Sequence, residues 1–156
     1  MDTTPAINTL HQSYTQARAN DVKKMMGYDQ FENMVVFFPC LLIAASDGVV
    51  DKEEWVYVQY LSRFMADPFK GDLTEPQFMK LKQDYYRELE FLVNHLKEWQ
   101  GPFVNALKEH LEYYPEIKDT ILDSLYLFAE ASDGTSAVEQ KAIDALVEKL
   151  KLEEEE

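Results

Sequence analysis

Apolar residues recur along this chain at steps of three and four. The spacing is plainest at Phe78, Leu81, Tyr85, Leu89, Leu92 and Leu96, which places all six on one face of a helix with a period of about 3.6 residues. No comparable run alternates with period two, the mark of a half-buried strand, so the pattern predicts an all-α domain. Helix starts are marked by Thr4 before Pro5 and by Gly101 before Pro102, because proline suits the first helical turn, where no amide hydrogen is needed. Thr74 and Gln77 have the spacing of a capping box. Together these signals predict seven helices, near 4–19, 21–46 (broken around Gly27, with a kink at Pro39), 52–66, 75–99, 102–114, 116–132 and 137–151. The stretch Asp67-Pro68-Phe69-Lys70-Gly71-Asp72 interrupts the pattern and reads as a long loop.

An internal repeat is visible within this pattern. Leu42-Ile43-Ala44-Ala45-Ser46-Asp47-Gly48 matches Phe128-Ala129-Glu130-Ala131-Ser132-Asp133-Gly134. Downstream, Asp51-x-x-Glu54 matches Ser136-x-x-Glu139 across a one-residue gap, which aligns Tyr57, Val58 and Leu61 with Ala142, Ile143 and Leu146. Each copy reads as a helix, a glycine turn and a capped second helix, so the domain should hold two pseudo-repeated helical hairpins around one core. Small residues at Ala44, Ala45, Ala129 and Ala131 would let these helices approach closely.

With 156 residues, 46% of them hydrophobic and 13% aromatic, the chain is long and apolar enough for a single domain with its own core, over 1–152. Glu153–Glu156 reads as a solvated acidic tail. The net charge is −14, and removing the four tail carboxylates still leaves −10. Such a charge repels phosphate backbones and anionic lipid, which argues against nucleic acid and points toward cations or basic proteins. Cys40 is the only cysteine, so there is no disulfide framework and a cytoplasmic location is expected. The first residues lack the basic and apolar regions of a signal peptide. The longest apolar stretch, Met34 to Ala45, falls short of the roughly 18 residues a membrane span requires. It is expected to form a buried helix rather than to insert directly in a membrane.

The repeated Asp-Gly loop carries the candidate chemistry. Gly48 and Gly134 can end helices while Asp51/Glu54 and Ser136/Glu139 open the next ones as capping boxes, so every residue has a structural task. Asp47, Asp51, Glu53 and Glu54 also put four carboxylates within eight residues, enough oxygen donors for a hard cation such as Ca²⁺, Mg²⁺ or Mn²⁺. An EF-hand does not fit. Its first and third ligand positions would fall on Ile43 and Ala45, and on Ala129 and Ala131 in the second copy, none of which has a side-chain oxygen.

The two Asp-Gly turns resemble those of the tellurite-resistance TerB family, all-helical domains also found in certain membrane-anchored DnaJ-type co-chaperones. Ala45-Ser46-Asp47-Gly48-Val49-Val50-Asp51-Lys52-Glu53-Glu54 fits the family's pattern of a small-residue helix end, Asp-Gly, an apolar residue and a helix-opening acid. Ala131-Ser132-Asp133-Gly134-Thr135-Ser136-Ala137-Val138-Glu139 departs from it, with a shorter loop and Ser136 in place of an acid. The resemblance implies a non-enzymatic role in stress response, in the context of tellurite resistance, alongside a membrane-associated protein partner. It also implies a divalent-metal site at Asp47, Asp51, Glu54, Asp133 and Glu139. The alternative is an interaction module with an acidic docking surface and purely structural loops.

Elsewhere the sequence offers little chemistry. His11, His95 and His110 fall on different predicted helices and form no zinc-type pair. Cys40 lies among Phe37, Phe38, Leu41 and Leu42, an apolar setting that keeps a thiol inert. There is no phosphate-binding or dinucleotide loop, with only five glycines to build one. Tyr85, Tyr86, Phe91, Trp99, Phe103, Tyr113 and Tyr114 have the helical spacing of core aromatics rather than of a cofactor pocket.

Overall fold

The helical spacing is realised in seven α-helices. A computed structural model describes residues 3–45, 52–131 and 137–153, with the side chains of Glu53, Glu54, Ala129, Glu130, Ala131 and Ala137 excepted. The helices are α1 (Pro5–Arg18), α2 (Tyr28–Ala44), α3 (Lys52–Ala66), α4 (Glu75–Asn94), α5 (Leu96–Tyr113), α6 (Ile117–Ala131) and α7 (Ala137–Leu150). No strand occurs among the described residues, so the fold is all-α.

Three boundaries differ from those expected. The predicted helix over 75–99 ends at Asn94, and α5 runs from Leu96 straight through Gly101 and Pro102. Both residues lie on the exposed side, while Trp99, Phe103, Ala106, Leu107, His110 and Leu111 are buried along the opposite side. Burial of that stripe outweighs the proline's lost hydrogen bond, which is a matter of about 3 kcal/mol. The break falls instead at His95, whose ring stacks on Phe91 with centroids 4.2 Å apart. Asp67–Asp72 is a 3₁₀ helix rather than a loop, and 21–27 is non-helical, so α2 starts only after Gly27. The capping box at Thr74 and Gln77 forms as predicted.

The centre of the fold is α2, which packs against each of the other six helices. Phe31, Met34 through Leu41, Ile43 and Ala44 are all buried, the pattern of a helix that is apolar all round. The repeat is visible in the burial pattern too. Val58 and Leu61 on α3 are buried, and so are their counterparts Ile143 and Leu146 on α7.

The first helix is held by polar side chains. Glu88 on α4 is fully buried, and its Oε1 accepts from Tyr14 Oη at 2.7 Å and Arg18 Nε at 2.8 Å. Arg87 Nε donates to Glu88 Oε2 at 2.8 Å, and the Arg18 guanidinium lies 4.0 Å above the Phe91 ring. At the other end of α1, Thr4 makes no side-chain cap. Its Oγ1 lies 2.6 Å from His110 Nδ1 on α5, while its amide donates to Tyr28 Oη at 2.7 Å.

Burial pushes the Glu88 carboxyl up, but the hydrogen bonds from Arg18, Arg87 and Tyr14 prevail and hold it below its ordinary value of 4.5. A carboxyl depressed in the folded state stabilises fully above its unfolded value, and that stabilisation is lost as the pH falls through the lower folded value. Glu88→Ala leaves the buried Arg18 guanidinium with only its 3.4 Å contact to the exposed Asp21 and should cost about 3 kcal/mol in urea unfolding at neutral pH. Replacing Glu88 and Arg18 together by methionine should recover most of the loss. Equal destabilisation in the double variant would show that packing at these positions, not charge, holds α1.

Candidate functional site

One buried side chain links α3 to the end of α6. Tyr57 lies on the second turn of α3, and its ring packs on Phe128, near the end of α6, with centroids 5.1 Å apart. Burial drives its phenol far above the ordinary value, and the nearby Cys40 thiol, one turn before the end of α2, and Glu139 carboxylate, in the first turn of α7, raise it further. Tyr57 therefore joins the helix that follows the first Asp-Gly loop to the end of the helix that precedes the second. Tyr57 is 7% exposed, and its hydroxyl has no hydrogen-bond partner among the described residues, which is costly for a buried polar atom.

Of the sequence-predicted metal residues, Glu139 is half-buried in the first turn of α7. Asp47, Asp51 and Asp133 lie outside the described residues, and Glu54 is described for its backbone only. Among the described residues, no three His, Cys, Asp or Glu side chains are grouped to hold a metal ion. Cys40 is buried, its Sγ–H donating to Ser124 Oγ at 3.4 Å, and burial pushes its thiol up to about 12. It is protonated at neutral pH, the reverse of a reactive thiolate. The aromatic residues singled out above divide: Tyr85, Trp99 and Phe103 are core, whereas Tyr113 is 58% exposed.

A second feature lies between α3 and α4. An open groove of about 400 Å³ is lined by Gln59, Ser62, Arg63, Lys82, Gln83 and Tyr86. No carboxylate is among them. On the outer sides of the same two helices, Val56, Tyr60 and Met79 are three of the large apolar side chains left exposed, at 51%, 64% and 50%. The sequence carries a signal for this face. On α3, Val56 and Tyr60 form a second apolar stripe beside the buried Tyr57, Val58, Leu61 and Met65, more apolar surface than one packed face requires.

His110 is the third feature. It is 1% exposed, and its Nε2 is buried without a partner among the described residues, whichever tautomer Thr4 selects at Nδ1. Burial lowers its pKa from the ordinary 6.5, while Glu116 acts in the opposite direction.

Two outcomes follow from the orphaned atoms. Tyr57→Phe removes an unsatisfied buried hydroxyl without changing shape, and should stabilise the metal-free chain by about 1 kcal/mol in urea unfolding. A loss of that size would show that the oxygen has a partner in solution. For His110, a folded pKa below 6.5 means that its stabilising effect is complete above the unfolded value and is lost as the pH falls through the folded one. The thermal midpoint should fall between about pH 7.5 and pH 5.5 in the wild type and fall less in His110→Asn. Parallel curves would clear His110 of any role. No family model matches the chain, and no curated protein or solved structure matches it either.

Proposed function

We propose that the protein is a non-enzymatic binding domain whose two Asp-Gly loops together hold a divalent cation. The observation that supports this reading is the buried Tyr57 hydroxyl, without a partner among the described residues, on the helix that follows the first Asp-Gly loop and packed on Phe128 near the end of the helix that precedes the second. Carboxylates are the hard donors that Ca²⁺, Mg²⁺ and Mn²⁺ take. Asp47, Asp51, Glu54 and Asp133 would supply the remaining oxygens, with Glu139 as the donor from α7. The TerB-like resemblance, which rests on the motif residues alone, would set such a domain in a stress response tied to metal occupancy, with a protein partner.

A second reading, that of a protein-interaction module, is favoured by the exposed apolar side chains along α3 and α4. The groove beside them is lined by cations and amides, so this docking face differs from the acidic one expected.

Thermal unfolding of metal-stripped protein with added Ca²⁺, Mg²⁺ or Mn²⁺ separates the readings. At a hundredfold excess over the dissociation constant, binding to the native state adds about 2.7 kcal/mol, which for a chain of this size raises the midpoint by about 5–10 °C. The shift should vanish in both Asp47→Ala and Asp133→Ala and shrink in Glu139→Gln. A midpoint that no ion moves reduces the loops to helix caps and leaves the interaction module.

A further inference from the structure

The groove between α3 and α4 has a charge pattern unlike that of the rest of the molecule. The chain carries 29 carboxylates against 15 Lys and Arg, yet the two charged residues lining this groove are both cations, Arg63 and Lys82. Neither has an ion-pair partner among the described residues. By contrast, Arg18, Lys80 and Arg87 are each within 3.4 Å of a carboxylate oxygen. Lys82 is half-buried with its ammonium 4.9 Å from the Phe78 ring centroid, so its stem is held against the protein and its charge stays at the groove.

Helical geometry extends the groove into a face. On α3, Val56, Gln59, Tyr60 and Arg63 follow the spacing i, i+3, i+4, i+7, and on α4 Met79, Lys82, Gln83 and Tyr86 do the same, which makes each set one continuous surface stripe. The two helices pack side by side, and the rings of Trp55 and Tyr86 lie 6.3 Å apart. The face therefore offers two unpaired cations and two amides, flanked by Val56 and Tyr60 on one side and Met79 on the other. A groove between two helices with apolar rims accepts a third helix, read through anchors at i, i+3, i+4 and i+7. The free cations require carboxylates on that helix, next to its apolar stripe.

We propose that the α3/α4 groove docks an amphipathic helix of a partner protein, with carboxylates of that helix meeting Arg63 and Lys82 and its apolar side chains covering Tyr60, Val56 and Met79. The remainder of the partner helix is neutral or basic. The chain as a whole carries a net charge of −14, and charges beyond a Debye length of about 8 Å are screened at physiological salt, so only the carboxylates seated at the groove are favoured. This inference deepens the interaction-module reading and is independent of cation binding, so the metal titration and the following test fail separately.

The probe is a fluorescein-labelled helical peptide with leucines at i, i+4 and i+7, two glutamates one turn apart beside them, and enough lysines elsewhere to bring its net charge near zero. Titrated with the full chain and followed by anisotropy, it should bind. Affinity should fall at least about tenfold in the double variant Arg63→Gln/Lys82→Gln, in Tyr60→Ser, and when the peptide's glutamates become glutamines. The variants alter exposed or half-exposed side chains, and thermal midpoints equal to wild type confirm that they fold. Absence of binding at about 1 mM peptide, or binding that the variants leave unchanged, overturns the proposal. Equal affinity for a peptide without leucines reduces the groove to an anion site and overturns helix docking. Sedimentation showing that the chain self-associates, and that Tyr60→Ser abolishes this, assigns the face to a second copy and overturns the partner.

Discussion

The burial of α2 on every side is the constraint to which the other helices answer. A helix with apolar residues on one stripe needs one neighbour, whereas α2 has Phe31, Met34 through Leu41, Ile43 and Ala44 buried around its whole circumference and needs a sheath. The other six helices provide it, each lending one apolar stripe. Proline at position 39 is accommodated within this sheath, and the thiol of Cys40 is sealed there, hydrogen-bonded to Ser124. The same constraint fixes where chemistry can occur. With the middle of the bundle dry, candidate sites fall at helix ends, as near Tyr57, or on the outer face of a helix pair, as at α3 and α4.

Buried polar groups divide into two kinds in this fold. Glu88 receives donors from Tyr14, Arg18 and Arg87, so its burial is fully compensated and it acts as a fastener between α1 and α4. Such a pair adds less to net stability than its distances suggest, because desolvation offsets most of the attraction, but breaking it is expensive. Tyr57 and His110 are different, each keeping one atom with no partner among the described residues. A buried polar atom without a partner is a standing cost. His110 stands at the attachment of α1 to α5, and Tyr57 where α3 meets the end of α6.

Much of the fold is legible in the sequence because periodicity reports burial directly. The stripe Phe78, Leu81, Tyr85, Leu89 and Leu92 is buried on α4, and the repeat alignment pairs Val58 with Ile143 and Leu61 with Leu146, all four buried. Local signals succeed where they are local in cause, as with the capping box of Thr74 and Gln77. They fail where tertiary packing overrides them: Gly101 and Pro102 suggest a boundary, but the buried stripe from Trp99 to Leu111 carries the helix through. Thr4 suggests a cap, but its hydroxyl is taken by His110, 106 residues away. The site is less legible still. Asp-Gly turns announce acidic loops, yet nothing local indicates that Tyr57 packs on Phe128, or that Arg63 and Lys82, 19 positions apart in sequence, share a groove. Long-range pairings between charged or polar residues leave no periodic trace.

The two halves of the repeat are not equivalent. Tyr57 on α3 corresponds in the repeat to Ala142 on α7. Tyr57 is buried and packs on Phe128 near the end of α6, whereas Ala142 is half-buried. The acids differ as well, since the first loop has Asp51 where the second has Ser136. A large ring in one half against a methyl group at the matching position of the other means that the two halves fill the core unequally, and a close-packed interior has few voids to absorb a second ring without rearrangement.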